Sequence, residues 1–164
     1  MYILQKYPST LGLRMKRHNR VMDVVKRSLK KTGHTVYEEP RVLGCKNAVL
    51  RPDLCVKFAG GGALVLDAHI PYELAGPSQL EAARANKAAK YAAHLDGFRD
   101  YLNVVDIRFD GVVVGARGAI APRMASGLKG IGLTDNEIRL MQVRAVEGTL
   151  SIFRSFMTEK RRQT

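Results

Sequence analysis

Arg51-Pro-Asp-Leu-Cys-Val-Lys-Phe58, the turn Ala59-Gly-Gly-Gly62, and Ala63-Leu-Val-Leu-Asp-Ala-His-Ile70 decide how this chain folds. Leu54, Val56 and Phe58 alternate with Cys55 and Lys57, and Leu64, Leu66 and Ile70 alternate with Val65, Asp67 and His69. Period-2 patterning on both sides of a glycine turn predicts a β-hairpin. Paired positions in an antiparallel hairpin have a constant sum of residue numbers. A turn centred near Gly60 makes that sum about 120, so Asp53 faces Asp67 with Cβ atoms roughly 4.5–5.5 Å apart on one side of the ribbon. Two carboxylates that close repel unless a cation lies between them. Mg²⁺ suits such a pair, because it takes oxygen ligands and keeps exchangeable waters. The backbone carbonyl of Ala68 is a candidate third ligand, and His69, two residues past Asp67, points to the same side.

Working outward, a Pro/Gly loop over 71–78 leads into a helix from Ser78 or Gln79 to about Leu95. Leu80, Ala83, Lys87, Lys90 and His94 share one side of it. Packed across the hairpin by Leu80 and Ala83, this helix would carry Lys87 over the carboxylates. An ammonium there can orient or deprotonate a water and offset charge on a phosphate in transit. Lys90 faces the same way and competes for that role, the alternative being a phosphate contact. Tyr91 reads equally as core packing or as a DNA contact, and His94 as a surface group near the helix end.

Upstream, residues 16–32 form a helix with Val21, Met22, Val25 and Leu29 on its apolar face, ended by Gly33. Residues 34–39 read as a short strand and 41–50 as a loop. Downstream, residues 102–109 look like a strand, Gly111–Gly115 like another short one, and 118–129 weakly helical. Thr134-Asp-Asn-Glu137 is a capping box. It opens a long helix on which Leu140, Val143, Val146, Leu150, Phe153 and Met157 keep helical period. Gly148 is tolerated inside that helix at about 1 kcal/mol, and Lys160-Arg161-Arg162 reads as a frayed end. The expected architecture is α/β: a mixed β-sheet flanked by helices, three strands in a meander and a later strand reached by a helical crossover. Residues 1–15 read as an arm or linker. Residues 16–164 read as one domain, with a core over about 16–115 and a C-terminal helical extension over about 118–160.

The 164 residues carry 27 Lys+Arg against 15 Asp+Glu, a net charge of +12. That excess points to a polyanionic partner, nucleic acid or an anionic surface. No apolar run approaches the ~18 residues of a membrane span, and no signal-like stretch opens the chain. Cys45 and Cys55 have no metal-binding spacing, and a reduced, intracellular protein is the simpler reading. Arg17, Arg20, Lys26 and Arg27 crowd one helix face; Arg117, Arg123 and Lys129 lie among glycines further on. Together with Arg51 and Lys90 they are candidate contacts to the backbone of double-stranded DNA, which position a duplex without reading its sequence.

Arg51-Pro52-Asp53, thirteen residues, Asp67-Ala68-His69, and then Leu80-Glu-Ala-Ala-Arg84-Ala-Asn-Lys87-Ala-Ala-Lys90-Tyr91 resemble the restriction-like endonuclease domain of site-specific non-LTR retrotransposons, within the PD-(D/E)xK nuclease superfamily. The resemblance extends upstream to Arg17-His18-Asn19 and Gly33-His-Thr-Val-Tyr-Glu-Glu-Pro40, and covers roughly residues 16–95. It implies a restriction-endonuclease-like core with extra C-terminal helices. It implies Asp53 and Asp67 as metal ligands for Mg²⁺, with Mn²⁺ able to substitute, and it favours Lys87 as the catalytic lysine. The lysine of the superfamily's D-x-K tripeptide is replaced here by His69. Some relatives carry Asp where this chain has Asn19. The implied role is cutting target DNA in the nucleus for target-primed reverse transcription, beside a reverse transcriptase region of the same polyprotein.

Single pieces also have bland readings. Pro-Asp before a strand is commonly a turn, and His18 is equally a hydrogen-bonded core histidine or, with Asn19, the edge of the site. His69 either supports the carboxylate pair from beside it or fills the space of the missing lysine. Glu38 and Glu39 are exposed or paired with Arg41, or one of them reaches the metal. The long helix could be core or the face of a homodimer. Three functions remain distinct: a Mg²⁺-dependent endonuclease nicking one strand per site, an inactive nuclease fold that only positions DNA, and a junction-resolving nuclease.

Overall fold

The computed structural model describes residues 7–74 and 76–162. After a 3-10 turn at Pro8–Thr10, helix α1 spans Leu11–Lys31, strand β1 Thr35–Glu38, β2 Val42–Leu43, β3 Val49–Leu50, β4 Leu54–Lys57 and β5 Ala63–His69. Helices α2 (Pro77–Ala92) and α3 (Leu95–Leu102), strand β6 (Ile107–Val113), α4 (Pro122–Gly130) and α5 (Asp135–Arg162) follow. The main sheet has the order β1-β4-β5-β6. β1, β4 and β5 are antiparallel neighbours, and β6 joins β5 in parallel after the α2–α3 crossover. This is the expected α/β fold with a mixed sheet and C-terminal helices. None of the described helices is long and apolar enough to cross a membrane.

Alternation in the strands divides the core. Leu54, Val56, Leu64 and Leu66 face α1 and α5, where Val21, Val25, Leu29, Met141 and Ile152 are buried. Cys55, Ala63 and Val65 face the other way, onto Tyr91 of α2 and Phe98 and Leu102 of α3. β5 is therefore covered on both faces, and its run Ala63–Ala68 is buried throughout, as suits a central strand.

Several local expectations are corrected. α1 starts at Leu11, so the arm gives way to helix five residues early; residues 1–6 lie outside the described ones. The loop over 41–50 contains the small β2–β3 hairpin. Residues 96–101, given no element by the sequence, and Leu102, expected to open a strand, belong to α3, because Phe98 and Leu102 lie one turn apart and both bury. Asn103 then stops the helix in a left-handed conformation (φ +50°). The two strands expected over 102–109 and 111–115 are one strand, β6. The end of α5 is helical through Arg162.

Of the two readings of the α5 stripe, core or homodimer face, the core reading is corrected. The stripe Leu140, Val143, Leu150, Phe153 and Met157 is exposed, while Ile138, Met141, Ala145 and Ile152 bury against the core. The deciding contact is between Gly148 and Arg17. A Cβ at Gly148 would collide with the aliphatic stem of Arg17, so the glycine turns that side of α5 onto α1.

Candidate active site

The hairpin closes in the register the turn implies: Leu54 pairs with Leu66, Cys55 with Val65 and Val56 with Leu64. The next step outward brings Asp53 beside Asp67, just past the end of the ladder. There the Asp53 side chain takes over the ladder's work, its Oδ2 accepting the Ala68 N–H at 2.6 Å. The His69 carbonyl accepts from Val114 N on the β6 side. Strand alternation therefore turns the Ala68 carbonyl to the side of Asp53. Among the described residues no group of three His, Cys, Asp or Glu side chains gathers at a potential metal site; the oxygen donors here are two carboxylates and a backbone carbonyl.

Lys87 Nζ donates to Asp67 Oδ2 at 2.6 Å. Its position depends on Gly111 of β6. A Cβ at Gly111 would lie 2.8 Å from the Arg84 carbonyl and 2.9 Å from Lys87 Cβ, so the glycine lets α2 settle close against the sheet. A bidentate pair, Arg84 Nε and Nη2 to Asp110 Oδ1 and Oδ2, both at 2.6 Å, fixes the helix on β6.

From α1, His18 Nε2 meets Asp53 Oδ2 at 3.1 Å and its Nδ1 lies 3.3 Å from Asn19 Oδ1. His18 and Asn19 thus stand at the edge of the site. Beneath it, Tyr91 is buried, with its hydroxyl donating to the Arg51 carbonyl at 3.2 Å. Tyr91 is core, and Lys90, exposed, lies over its ring at 4.5 Å. The ring of His69 is half-buried, next to the constellation.

The electrostatics split the carboxylates. Burial works to raise Asp53, but hydrogen bonds from His18 and Ala68 outweigh it and hold the group below its ordinary value. Burial raises Asp67, the Asp53 charge adds to this, and the Lys87 hydrogen bond only partly offsets it. The hydrogen bond to Asp53 raises His18 against the effect of burial. Burial, with the Lys87 charge next, lowers His69. Burial raises the Tyr91 hydroxyl, and the charges of Asp67 and Asp53 reinforce the shift.

A cleft of about 320 Å³ opens beside Asp53, lined by His18, Asn19, Asp23, Lys26, Glu38 and Glu39. Glu38 does not join the carboxylate pair, because Lys26 and Lys30 bridge it at 3.1 and 2.8 Å. Glu39 pairs with Arg51, not with Arg41.

The basic residues divide. Arg17 is a correction: it is buried, donating to Thr149 Oγ1 at 2.9 Å and to the Ile70 carbonyl, and burial and Arg14 lower its guanidinium to about 10. Lys26 is held by Asp23 and Glu38, and Lys129 by Asp135 at 2.6 Å. Arg20 is half-buried, while Arg27 and Arg123 are exposed. Arg117, also exposed, donates to the Glu73 carbonyl at 2.6 Å.

Glu73 is the structural residue that sequence reasoning missed. It is buried at 3% exposure, and its carboxylate accepts the backbone N–H groups of Arg117 and Ala119. Gly115 leaves the space it occupies. The only signal was a lone acid in a Pro-Tyr-Glu-Leu loop, which does not reveal a partner some forty residues away.

These observations define an α/β domain with a mixed sheet, in which a hairpin-borne carboxylate pair meets a helix-borne lysine. No family model matches the chain. Two curated proteins are similar to it over nearly its whole length. One is the Retrovirus-related Pol polyprotein from type-2 retrotransposable element R2DM of Drosophila melanogaster, 26% identical over 157 residues. The other is the Retrovirus-related Pol polyprotein from type-1 retrotransposable element R2 of Popillia japonica, 28% identical over 158 residues. Both matches cover 95% of this chain but only 15% and 32% of the respective polyproteins. The similarity relates the chain to a part of retrotransposon Pol polyproteins.

Proposed function

We propose that this chain is a divalent-metal-dependent DNA endonuclease that nicks target DNA for retrotransposon insertion, one strand per site, acting with a reverse transcriptase region of the same polyprotein. The observation that carries this reading is the convergence of Asp53, Asp67 and Lys87 at the mouth of the hairpin. The similarity to R2 Pol polyproteins supplies the retrotransposon setting.

The donor set fits Mg²⁺ or Mn²⁺. Two neighbouring carboxylates, one of them pushed towards its protonated form, are an arrangement a cation would stabilise, and all the available donors are oxygens. Asp53, Asp67 and the Ala68 carbonyl would hold the ion. When bound, a divalent cation supplies Lewis-acid chemistry at the scissile phosphate and neutralises the carboxylate pair. Lys87, drawn from Asp67 towards the phosphate, would orient the attacking water and offset charge developing on the phosphoryl oxygens. His18 holds the orientation of Asp53, and Tyr91 closes the floor against water.

Nicking of supercoiled plasmid in Mg²⁺ or Mn²⁺ tests the reading. Asp53→Ala should abolish nicking, and Lys87→Ala should slow it about 10²–10³-fold, the usual cost of removing one electrostatic stabiliser. Equal nicking by all three proteins would overturn the site. Duplex binding without nicking by any of them would favour a DNA-positioning module, and strong preference for four-way junctions with paired cuts a junction resolvase.

A further inference from the structure

Helix α5 is apolar on two opposite sides. One side is the core face of Ile138, Met141, Ala145 and Ile152. The other carries Val143, Val146, Leu150, Phe153 and Met157, whose spacing of three, four, three and four residues is that of a heptad seam. Val143, Leu150, Phe153 and Met157 are 41–50% exposed. A helix with one face in its own core ordinarily turns polar residues to solvent, so this second stripe points to a further helix packed on it.

We propose that the occupant is a second copy of this chain, with α5 packed antiparallel on α5 about a two-fold axis near Leu150 and Phe153. Two features make the stripe self-complementary, as a two-fold interface requires. The first is shape. One half of the stripe carries Phe153 and Met157, each 41% exposed. The other half borders an open, mainly apolar groove of about 460 Å³, lined by Gly118, Gln142, Val143, Val146 and Glu147 together with Arg117 and Arg139. Antiparallel a-to-d packing across that axis sets Leu150 against Phe153 of the other copy and Met157 against Val146 beside the groove. Each Phe153–Met157 half thus meets the partner's groove-bearing half, twice over. The second feature is charge. Glu147 and Arg154 flank the seam on the same edge, one turn either side of Leu150. The antiparallel arrangement brings Glu147 of each copy to Arg154 of the other. Among the described residues Glu147 makes one ion pair, with Arg144 at 2.8 Å on the surface, which is easily exchanged.

The seam is short, and the two copies carry like net charge, so the dimer should be weak, in the micromolar range of small interfaces. The proposal does not depend on the nuclease reading, and its test reads no activity. Sedimentation equilibrium of the whole chain, in about 0.3 M NaCl to screen net charge, should show a monomer–dimer equilibrium up to about 500 µM. Leu150→Glu, at an exposed position that leaves the fold intact by circular dichroism, should abolish it. Glu147→Arg and Arg154→Glu should each weaken it about tenfold, and the two together in one chain should restore it. A wild type that stays monomeric, or a Leu150→Glu protein that dimerises equally, would overturn the proposal. Failure of the double charge exchange to restore association would overturn the antiparallel arrangement.

Discussion

Lys87 and Lys90 are three residues apart on one helix and have different fates. Lys87 reaches Asp67, whereas Lys90 remains exposed over Tyr91. Lys90→Ala should therefore leave the nicking rate within a few-fold of wild type and act on DNA affinity instead, separable by comparing single-turnover rates with binding. His18 offers a pH handle in metal-free protein. Its hydrogen bond to Asp53 raises it above its ordinary value, while burial lowers His69. A histidine raised on folding contributes its stability in full below its unfolded value of about 6.5 and loses it as pH rises through the folded value. His18→Gln should thus cost more stability at pH 6 than at pH 8 in urea titrations. NMR titration should find His18 above and His69 below an ordinary histidine, and Asp53→Asn should move His18 down.

Two glycines set how the helices lie. Gly111 permits α2 to approach β6, and through that approach places Lys87. Gly111→Ala must push Arg84 and Lys87 outward. The expected result is a loss of nicking with the Asp53–Asp67 pair unchanged, together with about 1–3 kcal/mol of destabilisation from overpacking, read by activity and urea denaturation. Gly148 plays the matching part between α5 and α1. Gly148→Ala, ordinarily stabilising within a helix by up to about 1 kcal/mol, should destabilise here because Arg17 fills the space, and thermal unfolding will show the sign.

Across the molecule, the +12 charge overstates the free basic surface. Arg17 is buried, and Lys26 and Lys129 are already paired with carboxylates. Arg27, Lys90 and Arg123 remain exposed. A footprint of about four phosphates predicts a roughly hundredfold loss of duplex affinity between about 50 and 200 mM salt. Fluorescence anisotropy would measure the slope, and a much steeper dependence would mean that the paired lysines open to meet DNA.

The hairpin was legible in the residues alone, because alternation and turn closure are local: once Leu54 faces Leu66, Asp53 must come beside Asp67. The α/β order and the capping box at Thr134 followed from equally short-range patterns. The β2–β3 hairpin, α3 and the continuity of β6 were not legible, since short apolar runs suit either helix or strand until their partners are known. Nor could local periodicity choose between the two apolar stripes of α5, between Lys87 and Lys90, or between a buried and an exposed Arg17. Those choices concern the rotation and depth of whole helices. They were decided by packing between distant segments, where Gly111 and Gly148 remove the side chains that would have held α2 and α5 away.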